Sequence, residues 1–198
     1  MADDTRSFAR RRQILCSAEE LLQHYGYTKT TVADIARQAG VGVGTVYLEF
    51  SSKDEIVAAL AQHRHESVLE AMRQVAQSGG SFADRLVTML DERVAHFERF
   101  VQQGQHGRDL VSCGCPAVGR VHERYRTDEV ALVAELLLHA TEAGEFAVSD
   151  PPRTARVILL LVDQLTDHPD HEQDVAERHR CTRLAARLLL DGLRRRPT

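Results

Sequence analysis

Two groups of residues in this chain have the types and spacing that chemistry needs. The first is Cys113-Gly-Cys115-Pro116, followed by Gly119 and His122. Two thiols one residue apart, near Arg108 and Arg120 and ahead of a helical stretch, suit a redox or electrophile sensor, because a neighbouring cation and a helix N-terminus favour the thiolate. With His106 or His122 the same thiols could hold a soft metal such as Zn²⁺ or Cu⁺, although the flanking histidines follow no familiar ligand spacing. The plainer reading makes Cys115 a small buried apolar residue, the common fate of an unpaired cysteine. The second group consists of donors without a nucleophile: Thr30, Thr31, Thr45, Tyr47 and Lys53, with Arg6, Arg10, Arg11 and Arg12 in an N-terminal arm. Such groups hydrogen-bond phosphate oxygens and position a protein on a duplex without reading its sequence. Ordinary helix caps and a solvated charged end are the plain alternative.

Other chemistry finds little support. His63 and His65 lie about 200° apart on a helix and do not share one metal easily. The His-Glu pairs at 65–66, 122–123 and 171–172 lack the second histidine of a zincin motif. Gly40, Gly42 and Gly44 follow a helical pattern and not a strand, so a dinucleotide site is not supported. No nucleophile elbow or P-loop is present. Catalytic residues, resident metal and cofactor are therefore all expected to be none. The rival class is a helical thiol enzyme, or a thiol-, redox- or metal-responsive protein, centred on Cys113, Cys115 and His122.

The elements that must position these residues are helical. Apolar residues recur at i, i+3, i+4 and i+7 along Ile14, Leu15, Ala18, Leu21, Leu22 and Tyr25, along Phe82, Leu86, Leu90, Val94, Phe97 and Val101, and again near Leu136 and Leu184. No alternating strand pattern stands out, so the fold class is all-α, with about nine helices in total. Thr31-Val-Ala-Asp34 is a capping-box start, and Gly40 is a suitable left-handed stop. Gly42 then offers an N-cap for a second short helix from Val43 to Phe50. Two short helices joined by a tight glycine turn form a helix-turn-helix. Small residues at the second helix's start, Gly42, Gly44 and Thr45, let a backbone approach the floor of a major groove. Ser52-Lys-Asp-Glu55 opens the next helix with another capping box.

Composition sets the outer limits. The chain has 198 residues, 43% apolar and 27% charged, enough for a substantial core. Its formal charge of −4 excludes a polycation that coats nucleic acid, but not a local basic face. Within residues 1–50 the six basic residues (Arg6, Arg10, Arg11, Arg12, Lys29, Arg37) balance six acidic ones (Asp3, Asp4, Glu19, Glu20, Asp34, Glu49), so only their distribution favours DNA. Asn is absent, so none can read adenine. The N-terminus has no apolar signal region, and the longest apolar run, 157–162, is far too short for a bilayer. The expectation is a cytoplasmic protein with no membrane partner and reduced cysteines.

The segment Tyr25-Gly-Tyr27-Thr-Lys-Thr-Thr31-Val-Ala-Asp-Ile35-Ala-Arg-Gln-Ala-Gly40-Val-Gly-Val-Gly-Thr45-Val-Tyr47-Leu-Glu-Phe50-Ser-Ser-Lys53-Asp-Glu resembles the N-terminal module of the TetR family of transcriptional repressors, over residues 14–60. The resemblance implies a homodimer bound to double-stranded operator DNA and released by a small-molecule inducer. It also implies a domain 1–51 that binds DNA through Thr30, Thr31, Val43, Gly44, Thr45, Tyr47, Leu48, Lys53, Arg10 and Arg11. Residues 52–198 would then form a helical ligand-binding and dimerisation body. The family usually carries a polar or basic residue at Val43, and His, Tyr or Arg at Leu48 and Glu49. Glu49 either accepts from cytosine N4 or faces away from phosphate. In the body, Gly114, Cys115, Pro116 and Gly119 resemble a stretch beside the family's ligand cavity. The expected pocket is Met89, Phe97, Cys113, Cys115, His122, Tyr125 and Leu136, and the helix spanning 52–77 is the expected relay. The dimer interface is expected at Val157, Leu161, Leu165, Leu184 and Leu188, on two apolar helices that pair across a two-fold axis.

Overall fold

Hydroxyl residues and glycines break the helical periodicity, and the chain turns where they stand. In the computed structural model, which describes residues 2–102, 106, 115–166 and 175–193, the helices are α1 (Ala2–Lys29), α2 (Val32–Gln38), α3 (Val43–Glu49), α4 (Lys53–Ala76), α5 (Phe82–Gln102), α6 (Pro116–Glu142), α7 (Pro151–Thr166) and α8 (Val175–Leu193). The fold is all-α: eight helices and no strand occur among the described residues. Cys113 of the expected pocket lies outside the described residues, as does the side chain of Leu165.

Local chemistry accounts for the boundaries. Gly26 interrupts α1 with φ 79°, a left-handed conformation that costs a side-chain-bearing residue free energy. At α2 the Thr31 hydroxyl accepts from the Asp34 N–H while the Asp34 carboxylate accepts from the Thr31 N–H, a complete capping box. Gly40, at φ 65°, ends it. The box expected at 52–55 forms in altered register. Ser52 Oγ accepts from the Glu55 N–H at 3.2 Å, but the Glu55 carboxylate reaches back to the N–H of Ser51 at 2.6 Å. The start of α5 is capped twice: Ser81 Oγ accepts from Asp84 N–H, and Glu145, beyond the end of α6, accepts from the N–H groups of Phe82 and Ala83.

The described chain gathers into two compact units, residues 1–65 with 99–124, and 66–98 with 125–198. In the first, α1, α2 and α3 pack on one another around Ile14, Ala18, Leu22, Ile35, Val46 and Phe50. Ile56, Val57 and Leu60 of α4, Phe100 of α5 and Val118 of α6 extend the same core. The second unit is built on Met72, Leu86, Met89, Leu90, Val133, Leu137, Phe146, Leu159 and Val162. Two charged clusters run through it. Arg93 of α5 meets Glu129 of α6 and Asp163 of α7, and Asp163 also takes Arg126. On α8, Arg178 pairs with buried Glu98 and Arg183 with Asp91, while the His179 ring lies between Asp91 and Glu98.

Candidate nucleic-acid interface

α3 turns one side inward and leaves the other largely exposed among the described residues. Val46 and Phe50 are fully buried against α1 and α2, which contributes about 1.5–3 kcal/mol for each side chain. One and two residues on from Val46 the helix faces solvent: Tyr47 is 53% exposed and Leu48 82%, with Val43 and Gly44 open beside them. Apolar side chains held this far out on a well-packed helix point to an external partner. Gly42 caps α3 through its backbone only, with no side chain over the first N–H groups.

The expected donors divide. Thr31 is exposed, with its hydroxyl engaged in the α2 capping box, and Thr45 is half-buried at the first turn of α3. Thr30 is not available to phosphate: it is buried, and its hydroxyl donates to the carbonyl of Gly26 at 2.8 Å. The reason is the Gly26 kink, which shifts the helical phase and turns Thr30 inward and Thr31 outward. The Lys53 ammonium donates to the carbonyls of Tyr27 and Thr30 at 2.8 and 2.9 Å and lies 3.9 Å from the centre of the Tyr27 ring. It fastens the start of α4 to the α1–α2 junction.

Arg10 and Arg11 also have internal partners. Arg10 Nε donates to the Glu49 carboxylate at 2.7 Å, and Ser7 Oγ donates to the same group at 3.2 Å. Arg11 donates to the Glu49 carbonyl at 2.7 Å and stacks over the Phe50 ring at 4.0 Å. The first turns of α1 are thus clasped to the C-terminal end of α3. Of the two roles open to Glu49, this geometry matches the one in which its carboxylate faces away from DNA. The Arg10 hydrogen bond holds that carboxyl below the usual range, against an opposing effect of burial and with help from Ser7. Arg6, Arg12 and Lys29 are exposed and make no ion pair among the described residues.

The expected pocket residues fall in both units. Met89 and Leu136 are buried core of the second, and Phe97 is partly exposed there. Tyr125 lies in the second unit's charged cluster, where burial and the Glu129 carboxylate push its hydroxyl's pKa upward. Cys115 and His122 belong to the first unit, Cys115 partly buried against its core and the His122 ring edge-on to that of His65 at 5.1 Å. Seven residues along a helix separate them by about 10 Å, so they do not converge on one ion. Arg93, Glu129 and Asp163 escaped the sequence reading. Glu129 sits four residues before Val133 on an apolar stripe, and that position was the available signal. Of the expected dimer residues, Val157 and Leu161 on α7 are exposed, and Leu184 and Leu188 on α8 are 60% and 66% exposed. Leu160, not expected, is exposed with them. Among the described residues no helix is long and apolar enough to cross a membrane.

Comparison with known proteins agrees with this geometry. Residues 14–60 match the family model for bacterial regulatory proteins, tetR family. The HTH-type transcriptional repressor Rv1474c of Mycobacterium tuberculosis is 33% identical over 171 residues, covering 77% of this chain and 91% of that protein. A transcriptional regulator of the TetR/AcrR family from Thermobifida fusca has the same fold, with a TM-score of 0.75 at 24% identity over 94% of this chain and 100% of that one. So does the transcriptional regulator FadR of Bacillus subtilis, solved with stearoyl-CoA, with a TM-score of 0.72 at 20% identity over 92% of this chain and 98% of that one. With a matched DNA-binding module and a relative aligned over most of both lengths, the chain belongs to the tetR family of bacterial regulatory proteins.

Proposed function

We propose that this regulator is a repressor that holds operator DNA as a homodimer and lets go when a small-molecule inducer binds its helical body. The observation that carries the reading is the open face of α3, where Val43, Gly44, Tyr47 and Leu48 are exposed among the described residues. In the complex these residues meet base edges in the major groove, and Thr31 and Thr45 meet phosphate. Arg10, Arg11 and Lys53 act one step back, by fixing α3 and α4 on α1. Residues 1–51 are the reader and residues 52–198 the sensing and dimerising body. Two α3 helices reach successive major grooves, about 34 Å apart, when the exposed faces of α7 and α8 pair with those of a second copy.

The protein works by binding and not by catalysis, in the cytoplasm where the chromosome lies. The stearoyl-CoA held by the FadR neighbour supports a body that accepts an apolar effector. Such an effector releases DNA only through unequal affinity for the two states.

Fluorescence anisotropy with a duplex from upstream of the gene, under reducing conditions, tests the reading. Sub-micromolar binding that weakens steeply with salt and is lost in Tyr47→Ala supports it. Equal, weak binding to that duplex and to random DNA, unchanged in Tyr47→Ala, rules out α3 as the reading surface.

A further inference from the structure

On α4, one turn after Leu60, stands a cation that no carboxylate answers. Arg64 is half-buried, its Nε donates to the Leu60 carbonyl at 3.3 Å, and its guanidinium carbon lies 3.5 Å from the centre of the Phe100 ring on α5. Leu60, Phe100 and Val118 belong to the core of the first unit, with Cys115 and Val121 partly buried against it. Among the described residues no Asp or Glu comes within ion-pair distance of this guanidinium, and its terminal amino groups make no hydrogen bond. Glu19 of α1 acts on it through space alone. Arg10, Arg93 and Arg178 pair with carboxylates, whereas Arg11 and Arg85, like Arg64, bond a backbone carbonyl and lie over a phenyl ring; in both of those, unlike Arg64, a terminal amino group makes the bond.

The stem and Nε of Arg64 are held by the protein, while its two terminal amino groups reach solvent and are open to an incoming anion. Burial draws Arg64 down to about 10, against the pull of Glu19, so it keeps its charge at neutral pH. Stacking on Phe100 fixes the plane of the group, and the two unbonded amino groups form a fork that matches the paired oxygens of a carboxylate or phosphate. Next along the helix, the His65 ring packs against His122 and joins α4 to α6 at the same level. Lys53, eleven residues back and so on nearly the same face of α4, is fastened to the α1–α2 junction. A load applied at Arg64 therefore acts along a single helix on the segment that supports the DNA reader.

We propose that Arg64 is the anion-recognition group of the effector site, and that the effector is an anionic amphiphile. Its carboxylate or phosphate oxygens sit on the Arg64 fork, and its apolar remainder lies against the partly buried Cys115 and Val121. The assignment rests on the ligand-responsive reading above and narrows its effector to one chemical class.

Isothermal titration calorimetry of the full chain with decanoate, decyl phosphate and decanol tests it, the first two separating a carboxylate from a phosphate source. At least one anion binds, and decanol, with the same tail, binds about tenfold more weakly or worse. Arg64→Gln abolishes the difference, while Arg64→Lys keeps part of it through its point charge. Without any probe, Arg64→Gln binds the upstream duplex as the wild type does, and the anion releases only the wild type. The assignment is overturned if decanol matches the anions, if Arg64→Gln binds them like the wild type, or if neither anion binds. A wild type that fails to bind its upstream duplex sinks the repressor reading instead, and the calorimetry still decides whether Arg64 holds an anion.

Discussion

Glu49 puts a carboxylate at the end of α3, the helix proposed to read DNA, and its partners on α1 account for how that charge is accommodated. Its charge is neutralised by Arg10 and its main chain is held by Arg11. Glu49→Ala is expected to lower stability by about 1 kcal/mol, the scale of a partly exposed charge-assisted hydrogen bond. It is also expected to raise non-specific DNA affinity and to steepen the salt dependence by about one phosphate contact, because Arg10 is freed. Urea titration and anisotropy over a salt series check both. The acid limb follows from the sign of the shift. The folded Glu49 carboxyl titrates below its usual range, so the clasp contributes fully above the ordinary value of about 4.3 and is lost as pH falls through the lower folded value. Wild type and Glu49→Ala should therefore converge in stability in acid, as measured by thermal melts across that range. The sequence left two roles open for Glu49, since only tertiary structure brings Ser7 and Arg10 to it. It could not separate Thr30 from Thr31 either, because the phase of a helix beyond a glycine kink is not carried by periodicity.

At the scale of elements, the caps were the most legible feature. Thr31 with Asp34, Gly40 and Gly42 all do what their types suggest. Gly26 and Gly40 both have a positive φ, Gly26 with an extended ψ of 167°, and they differ in surroundings. A methyl group at Gly40 meets nothing within 4 Å, whereas one at Gly26 meets the His106 ring at 3.1 Å, and the His106 N–H is itself bonded to the Gln23 carbonyl. Gly40→Ala is expected to cost about 1 kcal/mol, from backbone strain alone, and Gly26→Ala distinctly more. Urea titration of the two variants gives the order, and equal costs would mean that neither the backbone of Gly26 nor the His106 contact adds strain. The charged cluster of α5, α6 and α7 was illegible because each partner comes from a different helix. A pattern along one helix flags Glu129 as misplaced without naming Arg93.

The whole molecule is where sequence reading was thinnest. An all-α body followed from periodicity, but not its division, in which residues 99–124 gather with 1–65. The reason is physical: long helices contribute to a core according to where they cross it, and crossing points leave no mark on a stripe. The exposed leucines of α8 bear on assembly. Leu184→Glu with Leu188→Glu places charges on the face assigned to pairing, and is expected to give a monomer at micromolar concentration in sedimentation, with near-normal helix content and DNA binding reduced by orders of magnitude. A dimer that survives both substitutions would move the two-fold contact elsewhere. The open face of α3 has a further bearing, on how the protein can change over generations. Val43, Gly44, Tyr47 and Leu48 take no part in either core, so replacing them draws almost nothing from the few kcal/mol that separate folded from unfolded chains. If these four sites read the operator as proposed, a lineage can try new residues at them while the scaffold stays intact, and so drift from one operator to another without passing through an unfoldable intermediate.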